Sequence, residues 1–373
     1  NYDKNVPVVV GGAHPSLFAR NVLADINIDF VVIGEGEITF AELVHNLKEG
    51  KGYYDVKGIA YRKNGNVILN PPRDTIRNLD DLPFPARHLL SLTGYCSKHV
   101  IHGHTRPKTR AYTSMITSRG CPFQCTFCTV PLIWGRKWRA RSPDTIVAEI
   151  QHLTDTHGIR EVHFEDDNIS LDATRMRRIC ELLLEKGVNV NWTTPNGIAA
   201  RTLDERLVSL MARSGCYRLN IGVESADPAV LRQIRKPVDL RQVTNVIHWC
   251  RKYGIETCGF FMIGFPSDSV ETIGKTLSFA VASELDYANF NILVPFPGTE
   301  IHAELVGRGL ISKEDEMDRY RVQGFTTLRT DNLSARELVE LQRELTKAFA
   351  RNRLRKDPIR VFLRRLRYLN SIE

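Results

Sequence analysis

The chain has 373 residues, of which 42% are apolar and 25% charged, and its formal net charge is +8. This length suits two or three domains with a sizeable apolar core, no stretch approaches the roughly 20 apolar residues of a membrane span, and the first residues lack a signal-peptide pattern. Most of the net charge lies within 351–368, so the rest of the chain is nearly neutral and no general nucleic-acid surface is expected. We expect a soluble, cytoplasmic protein.

The first 75 residues contain two short apolar runs, at 7–10 and 30–33, that predict buried strands with a helix-like stretch between them at 17–25. Each run ends in a glycine turn, and glycine lets the backbone come close to a ligand at the carboxyl end of a strand. Ordinary tight turns are the alternative. Because the chain enters its first strand almost at once, we expect further sequence upstream. The candidate ligand-contacting residues are Gly11, Gly12, Gly34, Glu35 and Gly36.

A proline-rich segment follows, Leu79-Asp-Asp-Leu-Pro-Phe-Pro-Ala-Arg87. Proline stiffens an extended chain, so this composition is typical of a semi-rigid connection. We therefore predict a linker at 76–110.

The strongest motif is Cys121-Pro-Phe-Gln-Cys125-Thr-Phe-Cys128, which follows an apolar run at 111–116. Three thiolates at this spacing suit three irons of a 4Fe–4S cubane and leave the fourth iron open to a small molecule, which indicates catalysis. A zinc site would need a fourth ligand, and the nearby histidines are scattered. A fortuitous trio of buried cysteines is the remaining alternative.

From residue 111 onward, strand-like and helix-like segments alternate, as in parallel β/α units. In barrels built this way, the chemistry lies at the carboxyl ends of the strands. The predicted strands cover 112–117, 161–165, 190–194, 218–223, 257–263 and 288–294, and the predicted helices cover 143–157, 172–186, 204–214, 240–253 and 270–283.

The cysteine motif and its leading Thr117-Ser-Arg-Gly-Cys-Pro-Phe resemble the signature of radical S-adenosylmethionine (SAM) enzymes. Together with the glycine turns and the linker, the first 300 residues resemble the cobalamin-dependent branch of that family. The resemblance implies an α/β chain: part of a Rossmann-like cobalamin-binding domain at 1–75, a linker at 76–110, a partial (β/α)6 TIM-like barrel at 111–300 and a helical extension at 301–373. The Asp-x-His-x-x-Gly motif of other cobalamin proteins is absent.

The resemblance also implies three cofactors and the residues that hold them. A 4Fe–4S cluster is expected on Cys121, Cys125 and Cys128, and cobalamin at the glycine turns. SAM is expected beside the cluster. The resemblance places SAM-contacting residues at three positions. Asp166, Asp167 and Asn168 follow the second predicted strand, Glu224 and Ser225 follow the fourth, and Phe127 lies inside the cysteine loop.

A second set of candidates lies beyond the cysteine loop. Arg139 and Arg141, with Trp138, are candidates to reach the SAM carboxylate or a substrate. An exposed basic loop is the equal alternative for this segment.

The implied reaction is reductive cleavage of SAM followed by hydrogen abstraction and methylation of an inert carbon. Cyclisation or rearrangement is one alternative. An RNA methylthiotransferase is a second, although it should have three further cluster cysteines upstream, which Cys96 alone does not supply. A non-catalytic iron–sulfur protein is the third.

The expected partners are a small-molecule or lipid-like substrate and an external electron donor such as flavodoxin or ferredoxin, without nucleic acid. The basic tail repeats apolar residues at helical spacing, which predicts an amphipathic helix. Packing on the barrel or on a partner domain is the ordinary expectation, and peripheral contact with an anionic membrane is the alternative. The apolar positions are Ile359, Phe362, Leu363, Leu366 and Leu369.

Overall fold

The computed structural model describes residues 6–91, 107–312 and 321–362. None of the helices in these ranges is long and apolar enough to cross a membrane. Cys96 and the tail beyond Phe362 lie outside the described residues, so the predictions made for Leu363, Leu366 and Leu369 do too.

The N-terminal unit is a four-stranded sheet in the order β1-β2-β3-β4. β1 and β2 are parallel, whereas β3 and β4 form an antiparallel hairpin at the other edge. The hairpin and the long helix α3 were not predicted from the sequence. The elements are β1 (Val9–Gly11), α1 (Ala13–Leu17), α2 (Ala19–Val22), β2 (Phe30–Val32), α3 (Gly36–Lys48), β3 (Ile59–Lys63) and β4 (Asn66–Leu69).

Two predictions for this unit are wrong. β2 is buried throughout, but β1 is half-buried to exposed, because it is the edge strand of the described sheet. The helix predicted at 17–25 is shorter than expected: only α2 (Ala19–Val22) lies in this range, since the backbone leaves the helical region at Phe18 (φ −124°, ψ 35°), which separates α2 from α1.

The second sheet has six strands, all parallel, in the order β12-β11-β10-β9-β8-β5. Consecutive strands pair side by side, which is the topology of a partial (β/α)6 barrel, and the predicted fold class is confirmed. The six strands are β5 (Tyr112–Met115), β8 (Glu161–Phe164), β9 (Asn191–Ile198), β10 (Cys216–Glu224), β11 (Glu256–Ile263) and β12 (Tyr287–Ile292). A small antiparallel pair, β6 (Ser118–Arg119) and β7 (Arg139–Ala140), brackets the cysteine loop.

Side-chain caps mark the starts of the long helices between these strands. At the helix Pro143–His157, Ser142 accepts a hydrogen bond from Thr145 N–H, and Pro143 occupies the first turn, where its missing N–H costs nothing. The helices are α4 (Val130–Ile133), α5 (Pro143–His157), α6 (Ala173–Glu185), α7 (Glu205–Arg213), α8 (Pro228–Gln233), α9 (Leu240–Lys252), α10 (Val270–Ala282), α11 (Glu300–Gly307) and α12 (Ala335–Lys356).

Strand periodicity separates an apolar layer from a polar interior. Val162 and Phe164 of β8 join the main apolar core with the surrounding helices, whereas the intervening His163 is buried among polar groups. On β10, Ile221 is in the apolar core, while Asn220 donates to the carbonyl of Pro195 at 2.8 Å. The inner faces of β8 and β10 therefore carry polar side chains.

The linker is fixed to the barrel by polar contacts. Arg87 lies in a single 3-10 turn and reaches Glu149 of α5 at 2.6 Å and the carbonyl of Ser114 at 3.0 Å. Asp80 accepts a hydrogen bond from Ser142 N–H, directly at the start of α5. The connection is thus a docked segment.

Candidate active site at the cysteine loop

The cysteine loop begins directly after β6 and is held by its backbone. Gly120 has φ +83°, and a Cβ at this position would lie 2.5 Å from the carbonyl oxygen of Lys137, so only glycine fits. Further along, Thr126 N–H donates to the carbonyl of Ile234, and its own carbonyl accepts from Ile301 N–H. These bonds attach the loop to the ends of α8 and α11.

The three cysteines are half-buried and line one cavity. Burial raises the pKa of all three thiols, that of Cys128 to about 12. As free thiols they stay protonated at neutral pH, so thiolates here require a positively charged species to displace the protons. The donor set of three sulfurs fits an iron–sulfur cluster.

Within the three described ranges, no three His, Cys, Asp or Glu side chains converge as ligands of a single metal ion do. A cubane differs in this respect, because each of its cysteines binds a different iron.

The cavity measures about 310 Å³ and opens at the carboxyl ends of β8 to β12. Its wall combines the three cysteines with polar and aromatic side chains from successive strand ends. These include Phe123, Phe127, Asp167, Asn168, Asn196, Arg201, Glu224, Lys236, Phe260, Met262 and Asn291.

Two acidic residues after β8, Asp166 and Asp167, have different surroundings. Asp166 is buried and accepts hydrogen bonds from the N–H and hydroxyl of Thr117 and from Ser118, so it joins β8 to the start of the cysteine loop. The next residue, Asp167, lines the cavity instead. Burial and the neighbouring Asp166 raise the pKa of Asp167 to about 6.

Asn168 is 4% exposed and also lines the cavity. Among the described residues, its Nδ2 has no hydrogen-bond acceptor. A buried amide without a partner costs free energy, roughly 1–3 kcal/mol, which a polar ligand in the cavity would recover.

Glu224 stands at the end of β10 in a strained backbone conformation. Its φ is +66°, and the pairing of β10 with β11 shifts register between Gly222 and Glu224. Such an irregularity re-aims a side chain, and a non-glycine residue at positive φ costs about 1–3 kcal/mol. The Glu224 carboxylate points into the cavity wall, where it accepts from Lys236 Nζ at 2.7 Å.

Ser225 follows but does not line the cavity. It is buried, and its hydroxyl lies 3.4 Å from Thr276 and accepts from Asp227 N–H at 3.1 Å. These contacts tie the turn after β10 to α10.

The prediction for the basic segment after the loop is wrong in both alternatives. Arg139 and Arg141 are buried and committed to carboxylates, Arg139 to Glu35 and Arg141 to Glu149. Because neither is exposed and neither lines the cavity, they hold neighbouring elements together.

The two glycine turns of the N-terminal unit lie side by side, because β1 and β2 are parallel. The Ser16 hydroxyl connects them: it donates to the carbonyl of Gly12 at 2.7 Å and accepts from Gly34 N–H at 2.9 Å. Gly12 and Gly34 have φ of +106° and +76°, and a Cβ on either would meet no atom within 4 Å. The turns thus present bare backbone to open space, which fits a broad ligand such as cobalamin. Gly11 and Gly36, in contrast, have ordinary φ and back onto Val32.

Glu35 lies between these glycines but faces the barrel. Its carboxylate contacts Arg139 at 2.6 Å and Arg119 at 3.7 Å, and it accepts from Ile76 N–H at 2.6 Å. Arg119 immediately precedes Gly120, and it also pairs with Glu37. The structure therefore uses Glu35 to join the second glycine turn to the base of the cysteine loop.

Sequence reasoning missed Lys236 and Arg201. Lys236 follows α8, and no motif marks it; only its contact with Glu224 identifies it. Burial lowers the pKa of Lys236, but Glu224 and Cys125 outweigh that effect and raise it above the ordinary value. A cation is thus retained beside the cysteines.

Comparison with known proteins assigns the chain to a family. Residues 115–280 match the Radical SAM superfamily, and residues 1–44 match the B12 binding domain. The two matches together confirm the predicted resemblance, a B12-binding domain followed by a radical SAM domain. The matched domains confirm the predicted cofactors, a 4Fe–4S cluster and SAM from the first and cobalamin from the second.

Two curated relatives illustrate the family. An uncharacterised methyltransferase of Pyrococcus horikoshii is 35% identical over 83% of this chain and 65% of that protein. The cytidylyl-2-hydroxyethylphosphonate methyltransferase of Streptomyces wedmorensis is 33% identical over 83% of this chain and 63% of that protein. Other matching relatives are named as magnesium-protoporphyrin ester cyclases. This chain spans less than two thirds of the length of each of these relatives.

Among solved structures, the radical SAM methyltransferase TsrM of Kitasatospora setae shares the fold of this chain. The TM-score is 0.69 at 19% sequence identity, over 81% of this chain and 58% of that one.

Proposed function

We propose that this protein cleaves SAM reductively at a 4Fe–4S cluster and uses cobalamin to methylate an inert carbon of a small molecule. The single observation that carries the proposal is the cavity itself. It brings three cysteines together with a buried amide lacking a partner and an ion pair at a strained strand end.

The cysteine loop would hold the cluster through Cys121, Cys125 and Cys128, one thiolate on each of three irons. When bound, the cluster supplies the electron, taken from an external donor such as flavodoxin or ferredoxin, that cleaves SAM to methionine and a 5′-deoxyadenosyl radical. The loop backbone, attached through Thr126 to two helix ends, fixes where that occurs.

The cavity wall offers groups complementary to SAM. Asp167 suits the ammonium of the methionine portion, and SAM binding would favour the ionised form of Asp167. The unpaired Nδ2 of Asn168 suits an acceptor oxygen of SAM. Lys236 suits the methionine carboxylate, and Glu224 suits the ribose hydroxyls. Phe127, which packs at 5.9 Å from Phe265, offers a surface to the adenine.

The glycine turns would support cobalamin, which when bound supplies the methyl group. Glu35, Arg119 and Arg139 attach the second turn to the base of the cysteine loop, so the two cofactors would lie at a fixed separation. The names of the relatives support methylation.

The proposed domain boundaries are 1–75, 76–110, 111–300 and 301–373. The last strand of the N-terminal sheet, β4, ends within the first of these ranges, and the last barrel strand, β12, ends within the third.

The experiment is anaerobic reconstitution of the chain with iron and sulfide, followed by reduction with SAM, with and without methylcobalamin. We expect 5′-deoxyadenosine in the parent and its loss, with loss of the cluster absorbance, in Cys125→Ala. Cys180→Ala is the matched control, because Cys180 is buried in α6 away from the loop and should leave both readouts intact. SAM cleavage by Cys125→Ala without a cluster would overturn the proposal.

A further inference from the structure

A basic groove adjoins the cysteine cavity. It measures about 830 Å³ and is lined by residues that follow α8 and begin α9. The groove and the cavity share part of their walls, namely Arg201, Lys236, Pro237, Val238 and Asp239. Five cations line the groove against one acid: Arg201, Arg232, Arg235, Lys236 and Arg241, with Asp239.

The cations differ in how far they are already neutralised. Arg235 pairs with Glu300, Lys236 with Glu224, and Arg241 lies 3.9 Å from Asp239. Arg201 and Arg232, in contrast, have no carboxylate within ion-pair distance in the described ranges. Two guanidinium groups are thus available for an anion.

Arg201 also ties the groove to the cysteine motif. Its guanidinium lies over the ring of Phe123 at 5.5 Å, and Phe123 stands between Cys121 and Cys125 in the sequence. Stacking on an aromatic face orients a guanidinium while leaving its N–H edge available for bidentate bonds.

The groove lies at the end of α8. Arg235 has φ +51°, the left-handed conformation common just after a helix, and Lys236 N–H donates to the carbonyl of Leu231. The N-terminus of the 13-residue helix α9 also lies at the groove, where the Asp239 carboxylate accepts from Arg241 N–H and caps the helix.

We propose that this groove binds a phosphate-type dianionic group of the substrate and so directs the rest of that molecule toward the cysteine cavity. The inference rests on the proposed function for its role in substrate orientation. The binding claim itself rests on the groove alone. Arg201 and Arg232 line the same groove without a carboxylate partner in the described ranges, and guanidinium groups bind phosphate oxygens in a bidentate manner.

The first test is calorimetric titration of the full chain with inorganic pyrophosphate at constant ionic strength. We expect binding that weakens at least tenfold in Arg232→Gln and in Arg201→Gln. The matched control is Arg343→Gln, an exposed arginine on α12 that does not line the groove. Equal binding by the parent and both groove variants would overturn the proposal, as would absence of binding in the parent.

The second test places the anion relative to the cluster. In reconstituted, reduced protein, the paramagnetic cluster should enhance ³¹P relaxation of bound pyrophosphate in the parent and in Arg343→Gln, and the enhancement should fall in Arg232→Gln. Binding without enhancement in a cluster-loaded sample would contradict a site beside the cavity. Because the titration needs neither a cluster nor SAM cleavage, failure of the proposed function and failure of the groove are distinguishable.

Discussion

The mouth of the barrel and the glycine turns of the N-terminal unit present opposite kinds of surface. The barrel mouth contains polar groups without full partners, such as Asn168, and a strained acid, Glu224. The glycine turns present bare backbone, and Glu35 between them pairs with Arg139 of the barrel and accepts a hydrogen bond from Ile76 N–H.

The difference shows how each region is suited to its ligand. Unsatisfied polar groups in a small cavity favour a polar ligand, because such a ligand forms the hydrogen bonds that these groups lack. Open backbone at the strand ends of the N-terminal unit suits a broad, flat molecule by shape. The charged residue there, Glu35, instead holds the N-terminal unit against the barrel. Three substitutions test this distinction.

The largest effect is expected from Glu35→Gln, which lies where the N-terminal unit contacts the barrel. The change leaves Arg139 buried without its carboxylate, and loss of one partner of a buried pair costs about 3 kcal/mol or more. Chemical denaturation should show that loss. Glu42→Gln on α3 is the control, since Glu42 pairs with Arg73 at a more exposed position and should change stability by less than about 1 kcal/mol. Similar losses of unfolding free energy in both variants would mean that the Glu35–Arg139 contact stabilises the protein no more than an exposed ion pair does.

A smaller effect is expected from Lys236→Met at the barrel mouth. This change removes a cation from the cavity and leaves the Glu224 carboxylate without its 2.7 Å contact. The dissociation constant of SAM should rise at least tenfold, about 1.4 kcal/mol. Lys252→Met, which removes the surface partner of Glu205, should leave it unchanged. An unaltered SAM affinity in Lys236→Met would separate this lysine from the SAM site.

The smallest effect is expected from Gly34→Ala in the second glycine turn. A methyl group at φ +76° costs roughly 1–2 kcal/mol of stability and projects into the open space where cobalamin is proposed to lie. Gly50→Ala carries the same backbone penalty at φ +64° without facing that space. Equilibrium dialysis should show weaker cobalamin binding in Gly34→Ala alone. Equal cobalamin binding by the two variants would argue against the turn as a support.

Much of the barrel was predictable from the sequence, because strand and helix periodicities alternate cleanly after residue 111. The helix predicted at 143–157 is Pro143–His157, since Ser142 and Pro143 mark its start. The cysteine loop was predictable because its spacing is local. Contacts between distant residues were not: Lys236 finds Glu224 only through the fold, and Arg139 meets Glu35 across 104 positions.

The same limit explains the divided acids after β8. Sequence reasoning grouped Asp166 with Asp167, because adjacent carboxylates at a strand end look equivalent. Both residues lie beyond the end of β8 at Phe164: Asp166 binds the start of the cysteine loop, and Asp167, in the bend that follows, lines the cavity. Whether Asp166, Ser225 and Glu35 also touch a cofactor stays a prediction.

The central claim is that three cysteines hold a cluster whose fourth iron binds SAM. Electron paramagnetic resonance of the reduced, reconstituted protein tests it most directly, with SAM labelled with ¹⁵N at its amino group. The account predicts altered g-values on SAM addition and a ¹⁵N hyperfine coupling to the cluster. An unchanged spectrum with no coupling, in a sample where SAM is shown to bind, would contradict it.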